Sequence, residues 1–196
     1  MHKLGKLEVV AGCMFAGKTE ELIRKAHTLQ RAKKKYLVFK PSIDDRFGSD
    51  EVKSHSGSKV DAIEVDKPRD IIQYIDKQTK MILVDEAQFF EESLVEVVSY
   101  LLDIGIDVLC VGLDMDFRGV PFPTMSLLFA KANQVSKITS YCAVCGDDAT
   151  RTQRMIGSNP ASYDDPIVLI GASDSYEPRC HLHHIVLNKP EYFKED

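Results

Sequence analysis

Residues 7–19 read LEVVAGCMFAGKT, a short apolar run followed by a segment with two glycines, a lysine and a threonine. The second part, residues 12–19, fits the pattern G-x-x-x-x-G-K-[ST]. Between a strand and a helix, such a segment wraps backbone N–H groups around phosphate oxygens, because glycines allow close approach and the helix N-terminus favours an anion. The stretch therefore predicts an α/β domain with a phosphate-binding loop, called the phosphate loop below.

All eight residues of the phosphate loop are assigned to nucleotide binding: Gly12, Cys13, Met14, Phe15, Ala16, Gly17, Lys18 and Thr19. Lys18 supplies a point charge at the β- and γ-phosphates, and the Thr19 hydroxyl is a ligand for Mg²⁺. The alternative is a chance strand–glycine–helix turn, which the complete motif disfavours. Cys13 is either a passive loop residue, which we favour, or a redox-sensitive thiol.

Apolar patterning extends this α/β interpretation through the first 139 residues. Short apolar runs predict strands at 7–11, 36–40, 60–65, 81–84 and 108–112. Apolar stripes at helical spacing predict helices over 19–31, 68–78, 92–103 and 124–134. The polar stretch 42–59 is interpreted as a long loop, a class of segment that is often functional. Strands that alternate with helices predict a mostly parallel sheet flanked by helices.

Two carboxylates, Asp85 and Glu86, follow the apolar run at 81–84. Ligands of open parallel sheets bind at the carboxyl ends of strands, so Asp85 is expected beside the phosphate loop as a direct or water-mediated Mg²⁺ ligand. Because side chains alternate along a strand, the Glu86 side chain is expected to point away from that of Asp85. There it accepts the proton of an attacking hydroxyl or water. Gln88 joins Asp85 in the predicted nucleotide-binding set. A hydrolase activates water and a kinase activates an alcohol, so this pair does not identify the acceptor.

Cysteine and histidine form two closely spaced groups near the C-terminus, C-x-x-C at 142–145 and CHLHH at 180–184. Such groups suit one tetrahedral structural Zn²⁺. The predicted ligands are Cys142, Cys145, Cys180 and His183. His181 and His184 remain alternatives for the fourth ligand, and His183 is favoured because its spacing repeats that of the first pair. A redox-active C-x-x-C beside surface histidines is the alternative to a metal site.

The periodic apolar helices stop near residue 140, where Cys, His, Gly and Asp become frequent. We therefore predict two units: residues 1–139 as the nucleotide-binding α/β domain, and residues 140–196 as a small zinc-ribbon-like lobe. Residues 158–165 carry no specific signal.

Composition limits the classes of function. The 196 residues are 44% hydrophobic and 28% charged, which suits a folded domain with a sizeable core. With 25 Lys and Arg against 30 Asp and Glu, the net charge of −5 disfavours nucleic-acid binding. No segment reaches the ~18 apolar residues of a membrane span, and the N-terminus lacks the apolar core of a signal peptide. We expect a cytoplasmic protein without a membrane partner, and its five cysteines are not expected to form disulfides.

Residues 85–88, Asp-Glu-Ala-Gln, also resemble a helicase motif. A P-loop ATPase or helicase-like module acting on nucleic acid is therefore the main alternative function. Such helicases need two domains of this kind and a nucleic-acid track, which the chain length and net charge disfavour. A zinc-ribbon binding module that uses nucleotide only as a switch is a third interpretation.

Taken together, the motifs resemble those of the cellular-type (type II) thymidine kinases over roughly residues 5–190. The shared segments are residues 12–19, 85–90, 112–122, the two Cys/His groups and 171–180. The resemblance implies a P-loop domain with a zinc lobe whose lasso loop closes over the nucleoside. It further implies γ-phosphoryl transfer from ATP to the 5′-hydroxyl of thymidine, a step of thymidine salvage for DNA synthesis. A homotetramer and feedback binding of thymidine triphosphate are also implied, with no nucleic-acid polymer as a partner.

The resemblance also implies roles for individual residues. Glu86 matches the catalytic base, and aromatic and apolar side chains match those around the base and sugar. Backbone groups at 167–171 match the strand that hydrogen-bonds the base edge. The substrate-binding set is Met14, Phe89, Leu113, Phe117, Phe122, Thr152, Ile167, Val168, Leu169, Ile170, Gly171 and Tyr176.

Overall fold

The protein is described by a computed structural model that covers residues 4–42, 51–53, 57–167 and 175–191. The predicted base-edge residues Val168, Leu169, Ile170 and Gly171 lie outside the described residues. The strands are β1 (Leu7–Ala11), β2 (Lys35–Pro41), β3 (Glu51–Lys53), β4 (Lys59–Asp61), β5 (Ile63–Val65), β6 (Thr79–Val84), β7 (Asp107–Gly112), β8 (Gln134–Lys137), β9 (Ser140–Tyr141), β10 (Asp148–Ala149), β11 (Arg151–Ile156), β12 (Asn159–Pro160) and β13 (Ser175–Arg179). The α-helices are α1 (Lys18–Arg31), α2 (Leu94–Asp103) and α3 (Pro123–Lys131), and 3-10 helices span Pro68–Tyr74 and Ala87–Phe89.

The central sheet has six strands among the described residues, in the order β5-β2-β6-β7-β1-β8. Every neighbouring pair in it is parallel. Parallel strands end at one edge, so the segments after β1, β6 and β7 come together there. The predicted α/β class with a mostly parallel sheet is confirmed.

Alternating strand residues supply two apolar layers, one on each face of this sheet. Ile82 and Val84 of β6 pack in the layer shared with α2 and α3. Met81 and Leu83 pack on the opposite face with α1. Both faces of the sheet are therefore covered by helices, which explains why its strands read as continuous apolar runs.

The predicted helix over 68–78 is wrong in type and length. The segment forms a 3-10 helix that ends at Tyr74, and Ile75 is already extended with ψ 136°. The Asp76 carboxylate accepts hydrogen bonds from the backbone N–H groups of Gln78 and Thr79. This turn is incompatible with a continuing helix and leads the chain directly into β6.

The predicted helix over 124–134 is also too long, because α3 ends at Lys131. Asn133 donates its backbone N–H to the carbonyl of Leu7, and its side chain accepts the N–H of Leu7. These bonds align the chain with β1 and start β8, an edge strand that the apolar pattern did not reveal. Strand β8 was not predicted because most of its residues are exposed, and only a half-buried strand shows alternating apolar residues.

The predicted strand over 60–65 and the long polar loop before it are both revised. The strand is interrupted and contributes to β4 and then β5. Inside the predicted loop, β3 and β4 pair as an antiparallel hairpin, with Val52 opposite Val60. Val52 is buried against α1, so part of the polar stretch has a packing role.

Small antiparallel sheets follow the central sheet. Strand β9 pairs with β10, and β11 lies between β12 and β13. Residue Ser162 forms a bridge with Leu187, which ties the segment after β12 to the end of the described chain. No helix among the described residues has the length and apolar character needed to cross a lipid bilayer.

Candidate active site

The phosphate loop connects β1 directly to α1. Gly17 has φ 87°, a left-handed conformation that favours glycine. At Gly12 the constraint is space, since a Cβ would lie 2.2 Å from the carbonyl oxygen of Ile138. Both glycines of the motif are thus required by the backbone geometry, and the loop leaves the N-terminus of α1 directed at the edge of the sheet.

Lys18 is the first residue of α1, and its Nζ donates a hydrogen bond to the carbonyl oxygen of Cys13 at 2.7 Å. Burial lowers the pKa of Lys18, whereas the negative charges of Glu86, Asp85 and Asp114 act to raise it. The phosphate-loop lysine and the carboxylates after β6 and β7 therefore share one electrostatic environment. Such an arrangement suits a site where phosphate and a divalent cation meet.

Asp85 and Glu86 follow β6, which ends at Val84. The backbone N–H of Asp85 donates to the carbonyl of Phe39 in β2 at 2.9 Å, and Asp85 is buried. Glu86 has φ 48°, in the left-handed region. Such a conformation costs about 1–3 kcal/mol for a residue other than glycine and persists where the surroundings hold it. The orientation of Glu86 is therefore set by this backbone turn, and the strand alternation assumed from the sequence does not extend to it.

Gln88 connects Glu86 to β7. Its Nε2 donates to Oε2 of Glu86 at 2.5 Å, and its Oε1 accepts the backbone N–H of Leu113 at 3.0 Å. The side chain is buried, and a Cβ at Gly112 would lie 2.4 Å from its Oε1. Glycine at 112 thus leaves room for the carboxamide between two strand ends.

Aromatic residues from separate segments meet beside these carboxylates. The rings of Phe89 and Phe122 lie 6.3 Å apart in an edge-to-face arrangement. Phe122 is positioned by its backbone N–H, which donates to the carbonyl of Asp114, and Met115 bridges to Pro121. Three predicted pocket residues, Phe89, Leu113 and Phe122, are partly buried, whereas Phe117 and Thr152 are buried.

The segment from 140 onward contacts the phosphate loop directly. The backbone N–H of Met14 donates to Oγ1 of Thr152 in β11 at 3.0 Å. The Cys13 thiol donates to the carbonyl of Ala149 at 3.3 Å, and burial raises its pKa. These bonds bring together two predicted pocket residues, Met14 and Thr152, that are far apart in the sequence.

The four predicted metal ligands, Cys142, Cys145, Cys180 and His183, come together as one group, called the Cys/His cluster below. Their donor atoms all lie within 4.8 Å of one another. Sγ of Cys145 lies 3.8 Å from Sγ of Cys180, and Nδ1 of His183 lies 3.8 Å from Sγ of Cys142 and 3.2 Å from Sγ of Cys180. Tetrahedral Zn²⁺ with its usual bond lengths needs donor separations of roughly 3.5–3.8 Å, so the residues fit this ion.

The thiols of Cys142 and Cys145 differ in acidity. Although burial acts in the opposite direction, backbone hydrogen bonds at Cys180 and Cys145 lower the pKa of the Cys142 thiol to about 6. Although a backbone hydrogen bond at Asp147 acts in the opposite direction, burial and the side chains of Cys142 and Cys180 raise the pKa of the Cys145 thiol to about 11. Metal ligation requires thiolate, so the lowered pKa favours ligation at Cys142 and the case for the other ligands rests on the geometry.

Within the described part of the chain, His183 is the histidine that joins the three cysteines. The alternative ligand His184 is turned the other way, with Nε2 2.8 Å from the carbonyl of Phe117.

Comparison with known proteins identifies the family to which this arrangement belongs. A family model described as thymidine kinase matches residues 5–184, a span that includes the phosphate loop, the carboxylates and the Cys/His cluster. The chain belongs to the thymidine kinase family. It is therefore a kinase, and the resemblance inferred from its motifs is confirmed at the level of the family.

Among solved structures, a weaker similarity is found. A crystal structure of Pif1 helicase from Candida albicans matches with a TM-score of 0.36 and 13% identity, over 69% of this chain and 36% of that chain. The present chain thus spans little more than a third of that helicase. A similarity this low gives no information about the function of the present chain.

Two buried residues near the candidate site, Asp114 and Arg154, were not assigned a role from the sequence. Asp114 is buried, and Nζ of Lys137 lies 2.9 Å from its Oδ2. Arg154 is fully buried, with its guanidinium 5.1 Å from the centre of the Phe117 ring. Their partners, Lys137 and Phe117, come from other segments of the chain, so no local spacing marks them. The available signal was the position of Asp114 two residues after the predicted strand at 108–112.

Proposed function

We propose that this member of the thymidine kinase family transfers the γ-phosphoryl group of ATP to the 5′-hydroxyl of thymidine and forms thymidine monophosphate. The observation that carries the proposal is the relation between Lys18 and Glu86. A phosphate-binding lysine and a carboxylate held in a constrained turn lie in one electrostatic environment at the edge of the sheet. A phosphoryl donor and an acceptor hydroxyl need these two groups side by side.

The donor nucleotide is held by the phosphate loop. The N-terminus of α1 and the backbone N–H groups of the phosphate loop bind the phosphates, except that of Met14, which is donated to Thr152. Lys18 contributes its positive charge. Thr19 and Asp85 would hold Mg²⁺, whose chemistry is to neutralise charge on the phosphate oxygens. Burial of Lys18 strengthens its attraction for phosphate, because little water is present to screen it.

Glu86 acts on the acceptor as the general base. Its carboxylate accepts the proton of the nucleoside 5′-hydroxyl as the oxygen attacks the γ-phosphorus, while the bond between the γ-phosphorus and the β–γ bridging oxygen breaks and ADP leaves. Phosphoryl transfer passes through a loose transition state, so positioning and charge neutralisation supply most of the rate and the base supplies less. A general base typically contributes 10²–10⁴-fold.

The nucleoside is proposed to lie among the rings of Phe89, Phe117 and Phe122. Apolar faces suit a flat pyrimidine with a 5-methyl group, while backbone groups at 167–171 are proposed to read its polar edge. Tyr176 is proposed to lie near the sugar, and it pairs with Arg154 across the β11–β13 ladder. The remaining members of the proposed pocket are Met14, Leu113, Thr152 and Ile167.

The division into domains, the role of zinc, the assembly and the cellular location are also part of the proposal. We divide the chain at 139/140 into a nucleotide-binding domain and a zinc lobe with a lasso loop. Four protein ligands leave no open position on Zn²⁺, so its role is to stabilise the lobe. A homotetramer, feedback binding of thymidine triphosphate and a cytoplasmic location are proposed from the family.

The decisive experiment incubates the protein with Mg²⁺, γ-labelled ATP and a panel of nucleosides, and identifies the labelled product. We expect label in thymidine monophosphate. Release of free phosphate stimulated by a polynucleotide would instead identify an ATPase of the helicase type. Nucleotide binding with neither product would identify a nucleotide-dependent switch.

A further inference from the structure

Phe117 is held by two residues of the segment after residue 140. Its ring faces the guanidinium of Arg154, whose Nη1 also donates to the carbonyl of Pro166. Its backbone carbonyl lies 2.8 Å from Nε2 of His184. A carbonyl oxygen only accepts, so Nε2 carries the proton and donates. The ring and the backbone of Phe117 are thus fixed separately.

The turn that carries Phe117 is shaped by hydrogen bonds among its own residues. Oδ1 of Asp116 accepts the backbone N–H groups of Arg118 and Val120 at 2.9 and 3.0 Å. Gly119 closes the turn with φ 79°. These bonds give the turn its shape, but they do not fix its position relative to the C-terminal segment, because all of them lie within residues 116–120.

His184 supplies a hydrogen bond that restrains the backbone of this turn, in addition to the contact of the Arg118 guanidinium with the ring of Tyr163. Its Cε1 would lie 3.9 Å from a Cβ at Gly119, so the imidazole packs on the turn as well as bonding to it. The residue before it, His183, belongs to the Cys/His cluster, and Arg179 donates to the carbonyl of His183. His184 is therefore carried by a cross-linked segment, which is the kind of support a positioning residue needs.

We propose that His184 is a positioning residue for nucleoside binding, which holds residues 116–119 so that the Phe117 ring contacts the base. This inference rests on the proposed function, because it takes Phe117 as part of the thymidine pocket. It adds a residue that acts through the backbone of Phe117 and touches no substrate. Its effect is expected on thymidine and not on ATP, since the phosphate loop is restrained separately through Thr152 and Ala149.

The test uses the full chain with its metal and three variants. His184→Leu removes the N–H donor, and His184→Gln retains an amide donor at similar reach. His181→Leu makes the same chemical change at an exposed histidine of the same segment. Calorimetry gives the Kd of thymidine and of Mg-ATP separately, metal analysis gives zinc per chain, and steady-state rates give KM and kcat.

We expect His184→Leu to raise the Kd and KM of thymidine roughly 3- to 20-fold, the effect of losing one buried hydrogen bond. The ATP Kd and the zinc content should stay unchanged, and kcat should change less than KM. His184→Gln should recover most of the affinity, and His181→Leu should match the wild type. Equal weakening of ATP, or loss of zinc in His184→Leu, would show a general structural role and overturn the proposal.

A double-variant cycle separates this inference from the proposed function. Phe117→Ala should weaken thymidine binding, and adding His184→Leu should then cost little more, because the ring to be positioned is absent. If Phe117→Ala weakens binding while the two effects add fully, the positioning role is wrong and the pocket stands. If the wild type does not bind thymidine, or Phe117→Ala has no effect, the pocket assignment fails and the role of His184 fails with it.

Discussion

The side chains of Glu86 and Gln88 are joined by a hydrogen bond in which Nε2 of Gln88 donates to Oε2 of Glu86. Glu86 lies in a left-handed turn beyond the end of β6. Gln88 also accepts the N–H of Leu113 and thereby spans the ends of β6 and β7. The carboxamide thus orients the carboxylate that is proposed to be the catalytic base.

This contact predicts the behaviour of Gln88→Leu. The variant retains the approximate size of the side chain but loses the donor, so kcat should fall on the order of 10-fold while the KM values for ATP and thymidine change little. Combined with Glu86→Gln, it should cost little further, because both changes affect one group. A higher KM for ATP with normal kcat would instead assign Gln88 to nucleotide binding, as its motif position suggested.

Glu86→Gln tests the base directly. The substitution keeps size and shape but cannot accept the proton, so we expect kcat to fall roughly 10²–10⁴-fold with nearly unchanged nucleotide binding. Asp85→Asn is the matched comparison, and it should weaken the handling of Mg-ATP itself. Full turnover in Glu86→Gln together with an inactive Asp85→Asn would place the base elsewhere.

Lys18→Ala is expected to abolish phosphoryl transfer and leave the fold intact. The Nζ of Lys18 interacts with the loop carbonyl of Cys13, and its charge is the one available to phosphates inside the loop. Lys25→Ala serves as a control, because Lys25 lies on the same helix and pairs with Glu8 away from the loop. Transfer rates measure the activity of both variants, and circular dichroism measures their folding. Near-normal transfer in Lys18→Ala would refute the assignment of Lys18 to phosphate binding.

Metal analysis of protein purified without chelator should find one Zn²⁺ per chain. Cys142→Ser should lose the ion and unfold the small lobe, because binding energy at a structural site is also folding energy. Cys110→Ala is the control: Cys110 is buried in β7, outside the cluster, where burial raises its pKa to about 12, and this variant should retain zinc. Absence of zinc from the wild type would rule out the site.

The ionised side chain of Asp76 is expected to stabilise the fold in a pH-dependent way. Its hydrogen bond from Lys35 and those from the backbone at Gln78 lower the pKa of the carboxyl to about 2. A lowered native pKa stabilises the fold above the usual value of 3.8 and loses that effect as pH falls toward 2. Urea unfolding of the wild type and Asp76→Asn from pH 5 to 2 should therefore give curves that converge at low pH. A constant difference would show that ionisation of Asp76 does not contribute.

Local sequence was sufficient for the features that depend on neighbouring residues. The phosphate loop at 12–19, the carboxylates after β6 and the C-x-x-C pair at 142–145 are each encoded by spacing along the chain. Apolar runs were also sufficient for the buried strands of the parallel sheet, because buried strands and amphipathic helices leave distinct periods, but not for its exposed edge strand β8. Helix ends were less predictable, and 68–78 and 124–134 were misjudged because Asp76 and Asn133 bond to groups outside the helical pattern.

Only the tertiary structure shows which of these segments contact one another. The bonds of Gln88 with Leu113 and of Met14 with Thr152 join segments whose separation along the chain leaves no periodic pattern. The left-handed turn at Glu86 was not marked by the sequence either. The contact of His184 with Phe117 is of the same kind. Spacing along the chain already favoured His183 for the Cys/His cluster, but no local pattern predicted that the adjacent His184 would bond to the carbonyl of Phe117. Only the direction of the folded backbone turns one histidine to the Cys/His cluster and the other to the proposed nucleoside pocket.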